Sequence, residues 1–226
     1  EKLDSPIKRI YYATGDGSDS ASNEIGEIFP RANKTMLKQL ETSDAIIYGM
    51  GSLYTSIVPN LILRNVGETI AQRNCPKILL FNGSVDRETS GMSAADYILA
   101  IVDALNRKHT EYAIDFHVSE YVTHILTPDG GQFIVDDDAI KAAELTRDKV
   151  RVVKSELKKK KKEKTANGRY APSELVKAIS AVVDENKNNN NSNNTNNSDN
   201  TSLAVVAESE SDAEKESLSS SSSSPR

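Results

Sequence analysis

The chain has 226 residues, a formal net charge of −5 from 28 Lys and Arg against 33 Asp and Glu, and a single cysteine, Cys75. The acid excess disfavours an electrostatic nucleic-acid binder, and one cysteine excludes an intrachain disulfide or a cysteine-rich zinc site. The longest apolar runs, "KILLF" and "AIIYG", are far too short to cross a bilayer and no secretory signal is visible, so no membrane partner and a cytoplasmic or nuclear setting are expected.

Strand-like and helix-like segments then alternate along the chain. "IKRIYYA" (7–13) reads as a first strand, and "ATGDGSDS" (13–20) as a flexible loop. Residues 33–43 place Met36, Leu37 and Leu40 at helical spacing behind a capping Asn33. "DAIIYG" (44–49) is a second strand. Pro59 suits the first turn of a helix running to about Asn74, with Gly67 weakening its middle. "KILLFN" (77–82) is uniformly apolar, as strands covered on both faces of a parallel sheet are.

"SAADYILAIVDALNRK" (93–108) is the clearest helix. Ser93 and Asp96 form a capping-box pattern, and Ala94, Ile98, Ile101, Val102 and Leu105 fall on one face. "YVTHILT" (121–127) and "VRVVKSEL" (150–157) are the fourth and fifth strands. Leu175, Val176, Ile179, Val182 and Val183 mark a last helix opened near Pro172. This alternation predicts one α/β domain, Rossmann-like, with a mostly parallel sheet and flanking helices. The domain is expected over 1–184. The Asn- and Ser-rich remainder, 185–226, holds too few apolar residues to offset ordering entropy and reads as a disordered tail. Within it "SLAVVA" (202–207) is too short for an independent element. Ser209 and Ser211 lie among acids that would suit phosphorylation, with a plain solvating tail the favoured reading.

Two strand-to-helix junctions concentrate the chemistry. In the first, Gly49, Gly51, Ser52, Thr55 and Ser56 follow a strand and precede a helix. Glycines permit tight turning, the helix start supplies unpaired amides, and hydroxyls add donors of adjustable direction, which together suit a phosphate or another anion. The spacing is not G-x-G-x-x-G, and the lysine of a P-loop is absent. In the second, Asn82-Gly83-Ser84 leads through Asp86, Arg87, Glu88, Thr89 and Ser90 into the capped helix. In a parallel sheet both loops leave at the carboxyl edge, where ligands settle in open α/β folds.

Those stretches, "YGMGSLYTSIVPNLIL" and "FNGSVDRETSGMSAADYI", together with "VRVVKSEL" and "GRYAPSELVKAISAVV", resemble the 2-phospho-L-lactate transferase family, also catalogued as the gluconeogenesis-factor family. The family's G-x-G-S-x-Y-T-S-x-x-P-N and N-x-x-x-x-x-E-T-x-G-x-S-A-A-D patterns are both met, over roughly Ile7 to Val183. The first loop looks nearer to the gluconeogenesis-factor branch, with Met50 in place of a proline.

The resemblance implies a Rossmann-like domain and a nucleoside diphosphate or nucleotide-sugar ligand. It implies a ligand-lining role for Gly49, Gly51, Ser52, Thr55, Ser56, Asn60 and Asn82, and for Glu88, Thr89 and Asp96. Magnesium is the metal implied, with Asp86 and Glu88 the nearby carboxylates that would hold it. The family's first glycine-rich loop has no counterpart before Ile7, so the sequence, which starts at Glu1, reads as a C-terminal fragment. Three functions stay open: a metabolic regulator that binds a nucleotide-linked or phosphorylated small molecule, an enzyme transferring a phosphorus-linked group from a nucleoside diphosphate carrier, and a scaffold with a vestigial pocket. A homo-oligomer is compatible with each.

Other patterns carry less. His109, His117 and His124 make no metal motif, and His124 reads as a hydrogen-bonded core or rim residue. "VDDDA" (135–139) could group cation ligands, with acids opening a helix the favoured reading. "KKKKKEK" (158–164) reads as a solvated loop insertion rather than a nucleic-acid patch or nuclear address. Arg64 and Arg87 could each meet a phosphate or face solvent.

Overall fold

The structure, a computed structural model, describes residues 3, 5–14, 26–108, 115–160, 163–191 and 203–206, with the backbone alone at 156–160, 163–167, 191 and 205. His109, most of the loop 13–20, and Ser209 and Ser211 lie outside the described residues.

Two short strands, β1 (Tyr12–Ala13) and β2 (Glu27–Ile28), pair antiparallel away from the main sheet. The first predicted strand is thereby corrected: most of 7–13 makes no ladder. Its backbone is held instead by side chains, the Arg107 Nη1 donating to Ile10 O at 2.6 Å. Arg9 is paired with Glu27 at 2.7 Å.

Helix α1 (Lys34–Thr42) starts as predicted, with the Asn33 side chain accepting from Thr35 N at 2.8 Å. β3 (Ala45–Tyr48) follows and is buried throughout. The single helix expected over 59–74 is three pieces: a wide turn at Leu53–Ile57, then α2 (Val58–Leu61) and α3 (Val66–Ala71). Pro59 has no amide to offer the preceding turn. There the amides of Ile57 and Val58 bond five residues back, to Ser52 O and Leu53 O. Asn65, at φ 71°, breaks the helix again, and Arg64 N donates across to Pro30 O. Gly67 has a packing reason: a Cβ there would lie 2.1 Å from Leu105 O.

β4 (Lys77–Leu80) leads through the second junction to α4 (Ala94–Leu105), whose capping box of Ser93 and Asp96 is present in full. A single turn, α5 (Val118–Tyr121), occupies the start of the predicted fourth strand, and β5 spans His124–Pro128. α6 (Asp137–Ala142) is opened by Asp136 accepting from Ala139 N, so the acids cap a helix as favoured.

The predicted fifth strand divides. β6 (Val150–Val153) joins the sheet, whereas β7 (Ser155–Lys160) turns away to pair antiparallel with β8 (Glu163–Tyr170). The described residues of the lysine run, expected as a loop insertion, therefore lie on these two paired strands. α7 (Pro172–Asn191) runs past Asp184, and β9 (Leu203–Val205) adds an edge strand from the segment read as too short for an element.

The main sheet has the order β6-β5-β4-β3-β9 with every pair parallel, so the α/β expectation holds. Alternate side chains point to opposite faces. Ile46, Tyr48, Leu79, Phe81 and Ile125 join the core under α2, α3 and α4, while Ala45, Ile47, Ile78, Leu80 and Leu126 pack with Val182 and Val183 of α7. This two-sided burial explains the uninterrupted apolar strands. No helix among the described residues is long and apolar enough to cross a membrane.

Candidate functional site

Both glycine-serine corners leave the carboxyl edge and meet. Asn82 Nδ2 reaches Gly51 O in a long hydrogen bond of 3.4 Å. The stronger link is Glu88, which is buried and whose Oε2 accepts from the amides of Tyr54 at 2.9 Å and Thr55 at 3.2 Å. A carboxylate of the second loop thus occupies the first amides of the turn after the first loop, where helix geometry leaves donors unpaired. No hydrogen bond from the amides of Gly51 or Ser52 is present among the described residues. The donors still offered to a ligand therefore lie one step earlier than the helix start.

Asp86 organises the second loop. Its Oδ1 accepts from the amides of Glu88 (2.9 Å) and Thr89 (3.0 Å) and from Thr89 Oγ1 (2.9 Å). Burial alone would push its carboxyl up, but hydrogen bonds from the Thr89 and Ser52 side chains and these amides hold it below the ordinary carboxylate range. Ser52 is thereby tied to the second loop as well. Asp96 is likewise held low by the amide and hydroxyl of Ser93 at the capping box. As placed, Asp86 Oδ1 and Glu88 Oε2 are taken up by loop donors. No group of three or more metal-ligating side chains occurs among the described residues.

The other predicted residues divide. Thr55 is exposed, and Ser56 and Gly51 are part-buried at the corner. Asn60 faces its own helix, with Nδ2 donating to Ser56 O at 2.8 Å. Gly49 is buried beneath the turn and Thr89 is buried within the second loop. Arg64 and Arg87 are exposed. Beside the corners lies a cavity of about 460 Å³, between the segment 8–10 and α4, where Tyr54, Met92, Asp96 and Asp103 face Arg9 and Arg107. That volume is in the range of small-molecule sites.

Sequence reasoning missed what fixes these loops from below. A Cβ on Gly83 would lie 1.4 Å from Gly168 O, and one on Gly168, at φ 74°, would lie 2.9 Å from Gly83 O and 3.0 Å from Gly130 O. Only glycines let three backbones approach so closely. Gln132 completes the clamp: its amide donates to Gly83 O (3.1 Å) and its side chain accepts from Val85 N (2.7 Å). The Tyr170 hydroxyl lies 2.7 Å from Leu126 O and 3.0 Å from Phe81 O, anchoring β8 to the ends of two strands. Tyr97, beneath the second loop, packs against Phe81 and Phe133 with ring centroids 5.2 and 5.5 Å away, and its buried hydroxyl has no partner among the described residues. The N-G dipeptide at 167–168 was a turn signal that could have pointed to the clamp; nothing in the sequence marks the Tyr97 hydroxyl.

The family model described as "2-phospho-L-lactate transferase CofD" matches residues 3–171, which includes both corners, the clamp and β8. The chain belongs to this family. An uncharacterized protein of Saccharomyces cerevisiae is 30% identical over 147 residues, 61% of this chain and 31% of that protein. A putative gluconeogenesis factor of Nostoc sp. is 37% identical over 89 residues (39% and 20%), and the gluconeogenesis factor of Halalkalibacterium halodurans 36% identical over 97 (40% and 30%). The chain spans a third or less of the length of these relatives. A crystal structure of a Bacillus halodurans member of the UPF0052 family superposes with a TM-score of 0.45 at 25% identity, over 66% of this chain and 46% of that one.

Proposed function

We propose that the mouth formed by residues 49–60 and 82–93 binds a nucleotide-linked or phosphorylated small molecule, and that the chain acts as a metabolic regulator of the gluconeogenesis-factor kind. The observation that carries this reading is the state of the amides. Glu88 takes those of Tyr54 and Thr55, while those of Gly51 and Ser52, at the same corner, have no acceptor among the described residues. Backbone donors in that setting suit a phosphate oxygen. The adjoining cavity adds Arg9 and Arg107, two guanidinium groups that share the single carboxylate of Glu27, for further negative charge, with Asp96 and Asp103 as acceptors for ligand hydroxyls or amino groups. Family membership supports a nucleotide-type ligand.

The alternative, transfer of a phosphorus-linked group, requires charge neutralisation on the phosphates. With Asp86 and Glu88 holding the loop, that charge would fall to the arginines. A thermal-shift screen against nucleoside diphosphates and nucleotide sugars, with and without magnesium, tests the proposal. Stabilisation that Ser52→Ala and Asn82→Ala both remove is the expected result. A panel without response would favour the scaffold reading, and magnesium-dependent consumption of the ligand would replace the regulator with the enzyme.

A further inference from the structure

At the opposite end of the sheet, where β4, β5 and β6 begin, lies a separate cleft of about 470 Å³. It is lined by Arg73, Lys77, His124 and Lys149, with Glu120 the one acid among its lining residues. That acid has Oε2 accepting from His117 N at 2.8 Å in a capping box. Burial pushes the Lys77 ammonium's pKa down, and the charge of Glu120 reaches it only from beyond ion-pair distance, partly offsetting that shift. Lys77 is buried, 4% exposed, and its ammonium donates to Arg73 O. No carboxylate lies within ion-pair distance of Lys77 or Arg73 among the described residues. Arg73 spends Nη2 on Ser43 O at 2.8 Å, but its Nε is buried without a hydrogen-bond acceptor among the described residues. Buried charge is normally paired, so a buried ammonium and a part-buried guanidinium without a counter-ion call for one.

From this arrangement we propose that the amino-terminal cleft is a second binding site, for a small multiply charged anion of the phosphate or polycarboxylate type, held by Arg73, Lys77 and Lys149 beside His124. A planar guanidinium and two ammonium groups are the chemistry that such an anion requires. Thr123 braces the site: its hydroxyl accepts from Lys77 N (2.8 Å) and lies 2.9 Å from His124 Nδ1. The site lies across the sheet from the mouth, so the two stand or fall separately.

His124 is the natural reporter. Burial first, then the charges of Lys149 and Arg151, push its imidazole down to about 4, opposed by Glu185 and Asp148. Lys77 and Glu120 line the same cleft. An anion placed among these cations offsets their repulsion, so the ring binds a proton more readily when the site is filled.

Sulfate is the probe of choice, because its charge does not change across the pH range used. The His124 ring resonances are followed by NMR from pH 4 to 8 in the full chain, with and without sulfate, and sulfate affinity is measured by calorimetry. Saturable binding that raises the His124 titration midpoint by about one pH unit is expected. Lys149→Ala and Arg73→Gln should each weaken it about tenfold. Lys149 is 39% exposed at its side chain and its ion pair is a loose one of 3.8 Å to the exposed Asp148, so its loss tests charge without endangering the fold. Phosphate and a tricarboxylate, compared next, distinguish the two sources of such an anion. Sulfate binding that leaves the His124 midpoint unmoved, or that Ser52→Ala removes while Lys149→Ala does not, would overturn the proposal.

Discussion

At the carboxyl end of the sheet the carboxylates of the second loop all carry donors: Glu88 two amides, Asp86 two amides and two hydroxyls, Asp96 the amide and hydroxyl of its cap. At the amino end the balance is reversed. Arg73 and Lys77 lie within the fold with backbone carbonyls as their acceptors and no carboxylate at ion-pair distance among the described residues. One end uses its charges to shape loops, whereas the other leaves charges for something outside the chain to meet. The lesson concerns density. A stretch rich in glycine and hydroxyls signals many donors, but only the hydrogen-bond partners tell how many remain for a ligand.

The contrast can be broken at the carboxyl end most severely through the clamp. Gly83→Ala drives a methyl into the Gly168 carbonyl and should cost about 3–5 kcal/mol, read by urea unfolding. A cost below about 1 kcal/mol would mean that the three backbones do not meet as described. Glu88→Ala strands the Tyr54 and Thr55 amides and should cost about 1–3 kcal/mol in the same assay. Two tyrosines then sharpen the account. Tyr170→Phe removes a hydroxyl placed against two strand-end carbonyls and should cost about 1 kcal/mol, whereas Tyr97→Phe removes one without a partner and should fall within about 0.5 kcal/mol of neutral or stabilise.

The effects of pH distinguish the two ends by their windows. His124 titrates lower in the folded chain, about 4 against 6.5, so the folded state binds that proton less readily. Its stability is present above about pH 6.5 and is lost as pH falls toward 4. Asp86 is also held low, so its contribution is present above its unfolded value of about 4 and is lost only as pH falls below it. Acid unfolding followed by circular dichroism should show His124→Gln flattening the upper window and Asp86→Asn the lower.

Much of the sheet was legible because burial on both faces writes continuous apolar strands; β3, β4 and β5 stand within a few residues of their predicted places. The capping box of Ser93 and Asp96 marked α4 directly. What misled was local propensity overruled by partners distant in sequence. Ile- and Tyr-rich 7–13 looks like a strand, yet its central backbone is bound by Arg107 rather than by a neighbouring strand. The helix expected from Pro59 to Asn74 is broken where Arg64 N bonds Pro30 O and Asn65 turns left-handed. "SLAVVA" alone cannot form an element, but β3 offers it an edge. At the site, composition identified the two corners and parallel pairing put them on one edge. The role of Glu88 as an internal cap, and the glycine clamp beneath, depend on contacts 34 and 85 residues apart that no spacing rule encodes.

The central claim, a phosphate-bearing ligand at the joined corners, is tested most directly by a crystal structure of the chain grown with a nucleoside diphosphate. The account predicts phosphate oxygens within hydrogen-bond distance of the Gly51 and Ser52 amides, with Glu88 still on Tyr54 and Thr55. A diphosphate bound elsewhere on the molecule, with both corners unchanged and untouched, would contradict it.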